Sequence, residues 1–88
     1  MTYEQTQKEL EQLASKSGIA VRYEKGDFEG GYCVLKEERL IVVNKKLAPQ
    51  RKSTILAHGI AEIGIVEEHL KPEIRQFIED ELARSEKG

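Results

Sequence analysis

The longest strictly apolar run in the chain is Leu40-Ile41-Val42-Val43. Four residues make a strand and fall far short of the roughly 20 needed to cross a bilayer. A run with no polar alternation reads as a strand covered on both faces. In a chain of 88 residues, where folding hides only about 60–65% of the unfolded surface, the core around such a strand is thin.

The segments around this run fall into a simple order. Thr2 and Gln5 have the spacing of a capping box, and Tyr3, Leu10, Leu13 and Ala14 form one stripe, which predicts a helix over 3–16. Gly18 suits the left-handed position just past its end. Ile19, Val21 and Tyr23 alternate, predicting a strand over 19–24. The glycine-rich stretch 25–31 reads as a turn, followed by strands over 32–36 and 39–44 with a short polar turn between them. Pro49 opens a helix expected over 49–63, with Ile55, Leu56, Ile60 and Ile63 inward and Gly64 as the stop. Pro72 opens another over 72–84, with Ile74, Phe77, Ile78 and Leu82 on one face and a frayed tail from Ser85. The expected fold is a single α+β domain over residues 1–88, in the order α-β-β-β-α-α. Its three-stranded sheet is expected to be an antiparallel meander, with helices packed mainly on one side.

Composition narrows the function classes. Fourteen basic and 16 acidic residues are well mixed, giving a net charge of −2, which argues against a general nucleic-acid binder or a polybasic membrane anchor. The single cysteine excludes an internal disulfide and a CxxC metal knuckle. With no signal-like N-terminus and no spanning segment, a cytoplasmic domain without membrane attachment is expected.

One stretch carries candidate chemistry. His58 and Glu62 stand four apart on the second helix, on the flank of its apolar stripe, with Arg51 along nearly the same line two turns earlier. An imidazole and a carboxylate so placed can share a metal ion, Zn²⁺ being the candidate, or can form an ordinary surface pair. Gly59, between them, lies toward the apolar side, where a missing side chain lets the helix approach the sheet closely.

The segment Thr54-Ile55-Leu56-Ala57-His58, followed by Glu62-Ile63-Gly64, resembles the active-site helix of zincin metallopeptidases, T-L-x-H-E-L-x-H. The order of elements is similar to small gluzincin-like domains, including phage-repressor-cleaving metallopeptidases. The Gly30-Gly31-x-Cys33 stretch with Asn44-Lys45-Lys46 is also similar to a group of small bacterial proteins. By that resemblance His58 keeps the first zinc ligand, Glu62 replaces the second histidine, and Gly59 replaces the general-base glutamate. Glycine cannot accept a proton, so the water-activating step of the family is missing. The family's third ligand, a glutamate on the following helix, would fall to Glu67, Glu68, Glu73 or Glu79. The resemblance implies a zincin-like lobe without the catalytic base.

Three further features carry weaker chemistry. Cys33 sits in a strand with no base beside it, and reads as a buried core thiol. Gly30-Gly31 lacks any phosphate-loop fingerprint and reads as a turn. Lys45, Lys46, Arg51 and Lys52 gather where the second helix begins, and read as a solvated turn or a weak anion site. The function expected is therefore a non-catalytic interaction or regulatory domain with a possible protein partner. The alternative is a metal-dependent hydrolase built on His58 and Glu62, and a weak anion or nucleic-acid binder stands third.

Overall fold

The structure is a computed structural model that describes residues 1–64 and 70–86. The capping box opens the first helix, α1 (Tyr3–Lys16), with both halves formed. Gln5 N donates to Thr2 Oγ1 at 3.1 Å, and Thr2 N donates to Gln5 Oε1 at 2.8 Å. Leu10, Leu13 and Ala14 bury their stripe, joined by Thr6, whereas Tyr3 remains exposed. Gly18 takes φ +76° just beyond the end, a conformation that favours glycine.

The three strands, β1 (Ala20–Glu24), β2 (Gly30–Leu35) and β3 (Glu38–Asn44), form a mixed sheet in the order β1-β3-β2. This corrects the antiparallel meander. Only β2 and β3 pair antiparallel; β1 runs parallel to β3, with Ala20 beside Leu40 and Glu24 beside Asn44. The reason is visible in the strands themselves. β3 is the one apolar on both faces and takes the centre, while β1, carrying Arg22 and Glu24, is left at an edge where those charges reach water.

Placing β1 and β2 on opposite sides of β3 sends the connection at residues 25–29 across the end of β3, and Asn44 holds it there. Its Nδ2 donates to the carbonyls of Gly26 (2.8 Å) and Phe28 (2.6 Å), and its Oδ1 accepts from Lys46 N at 3.0 Å. A second correction concerns Gly30 and Gly31, which belong to β2 rather than to the turn. Gly30 has φ +134°, and a Cβ there would collide with the Val42 carbonyl, so glycine is what lets β2 start so close to β3. The β2–β3 hairpin turns on Lys36 (φ 50°) and Glu37 (φ 70°), both left-handed, the backbone of a two-residue type I′ turn.

The first two helices pack on the face of the sheet that carries Ile41 and Val43, and the third packs against those two helices. There Leu10, Leu13, Ala14 and Ile19 meet Leu56, Ala57 and Ile60 of α2 (Pro49–Ile63), with Ile74 and Ile78 of α3 (Pro72–Glu86). Helix α2 stops at Gly64, φ +86°. Helix α3 continues through Ser85 and Glu86, where the sequence predicts a frayed tail. On the opposite face of the sheet Leu40 is buried and Val42 half-buried, but Cys33, expected in the core, is exposed. No helix among the described residues is long and apolar enough to cross a membrane.

Candidate functional site

Helix α2 presents two different faces. Leu56, Ala57, Gly59 and Ile60 are buried toward the sheet. Gly59 is where the helix comes closest: a Cβ on it would lie 2.8 Å from Ile41 Cδ1 and 2.9 Å from Cγ1. Gly59 is therefore a close-packing contact between α2 and β3. A longer side chain there must displace the central strand's isoleucine.

The flank of the same helix lines an open cleft of about 470 Å³. Arg51, Thr54, His58 and Glu62 reach it from successive turns of α2, so the three flank residues expected from helical spacing do converge. Gly30, Gly31 and Tyr32 supply the wall from β2, and Ser85 closes one end from α3. His58 is half-buried and Glu62 exposed. Thr54 lies on the same i, i+4 line as His58 and Glu62, so helical spacing could have found it. Tyr32 and Ser85 come from distant elements and left no such signal.

Arg51 is not a free cation at the cleft mouth. Its Nε donates to Glu29 Oε2 at 3.0 Å and its Nη2 donates to Oε1, a bidentate pair. That hydrogen bonding holds the Glu29 carboxyl below its ordinary value and raises Arg51, which also lies in the field of Glu81. Glu81 is a buried carboxylate of α3, 3.6 Å from Arg84 Nη1. The four cations expected to gather at the start of α2 are accordingly split. Arg51 is clamped by Glu29, Lys52 stands 5.5 Å over the Tyr23 ring, and Lys45 and Lys46 are exposed.

The cleft wall is also a sheet edge. Bonded and non-bonded pairs alternate along an antiparallel ladder. Asn44 N donates to Glu29 O at 2.9 Å, so residues 29, 31, 33 and 35 turn their backbone groups toward β3. The N–H and C=O groups of Gly30, Tyr32 and Val34 then point to the free edge. The side chains of Tyr32 and Val34 lie on the helix face, because Tyr32 pairs with Ile41 and Val34 with Arg39.

Among the described residues no three His, Cys, Asp or Glu side chains come together, so neither Glu73 nor Glu79 joins His58 and Glu62. Glu67 and Glu68, with the neighbouring His69, lie outside the described residues. Compared with known protein families, curated proteins and solved structures, the chain matches none.

Proposed function

We propose that the chain is a small cytoplasmic, non-catalytic interaction or regulatory module, a degenerate relative of the zincin lobe, that receives an extended polypeptide strand along β2. One observation carries this reading: the edge of β2, unpaired among the described residues, forms the wall of the cleft into which α2 turns Thr54, His58 and Glu62. A strand added there gains main-chain hydrogen bonds from the edge, and its alternate side chains fall into the cleft. The imidazole, hydroxyl and carboxylate groups of α2 then act as selectors of those side chains, by hydrogen bonds and charge. Gly59 supports the non-catalytic half of the reading, since the base position holds no proton acceptor and is occupied by packing against Ile41.

Selection of binding peptides from a displayed random library, followed by amide exchange, tests it. Bound peptides should protect the amides of Tyr32 and Val34, and His58→Ala or Glu62→Ala should alter which sequences are selected. The rival reading is a metal-dependent hydrolase on His58 and Glu62. Peptide cleavage that requires Zn²⁺ and disappears in His58→Ala would establish it instead.

A further inference from the structure

We infer that the strand received by β2 is β2 of a second copy of this chain, pairing antiparallel about a two-fold axis at Tyr32 and merging two sheets into one of six strands. The inference rests on the strand-addition reading and names its partner.

Two observations single out this edge. Gly30-Gly31-Tyr32-Cys33-Val34-Leu35 contains no charge and no proline, and Val34 and Leu35 are 58% and 55% exposed. Edge strands are ordinarily guarded against pairing by charge, proline or bulges. The opposite edge obeys that rule with Arg22 and Glu24; β2 does not.

The strand is also complementary to itself. A two-fold axis perpendicular to the sheet keeps both helix layers on one face and requires opposed residues to share a face. With the axis at Tyr32, Gly30 opposes Val34 of the second copy and Tyr32 opposes its counterpart. These are the residues whose backbone groups point outward, so each pair exchanges two hydrogen bonds. Glycine opposite valine leaves room for the exposed side chain, and places Val34 of the second copy over the mouth of the cleft. The flanking charges agree with this direction. Antiparallel pairing brings Glu29 of one strand, whose carboxylate already holds Arg51, within one position of Lys36 of the other, whereas parallel pairing would set like beside like.

The only cysteine in the chain reports on this arrangement, because Cys33 is exposed on the face away from the helices. In this register the two Cys33 side chains are diagonal neighbours about 7–8 Å apart, within reach of a short bismaleimide. The test combines sedimentation equilibrium of the full chain with that cross-linking. The parent should approach twice 10.0 kDa as concentration rises, and should cross-link through Cys33 while Cys33→Ser does not. Val34→Lys places a charge on an already exposed position, so the monomer stays folded. Self-association should weaken by about tenfold, as a charged edge opposes strand pairing. Parent protein that stays monomeric to millimolar concentration, or Val34→Lys that associates as the parent does, would overturn the inference. A monomeric chain whose Tyr32 and Val34 amides are protected by a selected peptide refutes self-pairing alone. Loss of that protection as well would remove the strand-addition reading with it.

Discussion

The two edges of the sheet are built on opposite principles. At the β1 edge side chains close the structure: Tyr23 Oη donates to a Glu11 carboxylate oxygen, Gln7 Nε2 donates to Tyr23 Oη at 3.0 Å, and Lys52 lies over the ring. This network ties β1 to α1 and α2, and Arg22 and Glu24 charge what remains. At the β2 edge, among the described residues, an exposed ion pair between Arg51 and Glu29 ties the start of the strand to α2; the strand itself is uncharged, and beside its outer part lies the cleft. Both strands flank the same central β3. Edge protection is therefore a property of individual side chains, not of the topology, and one edge of this sheet is protected while the other is available.

Asn44 joins the two edges, so its loss should have the largest effect. Asn44→Ala removes bonds to Gly26 O, Phe28 O and Lys46 N from a residue that is only 8% exposed. The expected loss is about 3 kcal/mol, or roughly 15 °C in melting temperature. Amide exchange should accelerate through 25–30. A variant that melts like the parent would mean that the connection needs no such clasp.

Gly59→Leu tests the contact between α2 and the central strand that both edges flank. Overpacking against Ile41 should destabilise by about 1–3 kcal/mol despite leucine's better helix propensity. Gly59→Ala paired with Ile41→Val, which removes the nearest atom, should cost less than the sum of the two single changes. Additive losses in thermal melts would show that Gly59 and Ile41 do not share one contact.

The closed edge is tested by Tyr23→Phe, with an expected loss of about 1 kcal/mol. Burial, and next the bond to Glu11, push the Tyr23 hydroxyl well above its ordinary 10.0. Its contribution is complete below pH 10 and declines as pH rises toward the folded-state value, because the unfolded chain loses its proton first. Melting temperatures of parent and variant measured upward from pH 9 should therefore converge. A constant difference would show that the network does not hold the proton.

The smallest effect belongs to Glu29. Its carboxyl, held low by Arg51, should titrate in carbon-detected NMR with a midpoint below 4.5. The interaction is present above that ordinary value and is lost as pH falls through the lower one. Because Glu29 is exposed, Glu29→Gln should leave the melting temperature nearly unchanged.

The helices were legible because their signals are local. Thr2 and Gln5 mark a start, Pro49 and Pro72 mark two more, and a 100° periodicity separates Leu56 and Ile60 from His58 and Glu62. The same periodicity placed three cleft residues together and turned Gly59 inward. Strand order was not legible, because pairing of Ala20 with Leu40 is a non-local choice on which hairpin length is silent. The unbroken apolar run of β3 did carry the answer in part, since a strand without polar positions suits the centre. Gly30 and Gly31 misled because glycine serves turns and close strand contacts alike. Ser85 reaches the cleft only through the packing of α3, which no spacing in the chain encodes.

The parallel pairing of β1 with β3 has a kinetic consequence. The β2–β3 hairpin closes over two residues and can form within about 1–10 μs. β1 joins that ladder only by closing a loop from Ala20 to Leu40, and β2 with its turn lies inside that loop. Loop closure of this length predicts that the well-guarded strand docks after the hairpin, with the second edge of β3 exposed until then. Substitutions in the Lys36-Glu37 turn then act on the folding rate, whereas those in the Tyr23 network act on the rate of unfolding. The side chains that seal β1 work as a latch: they do little to start the fold and govern how long it lasts.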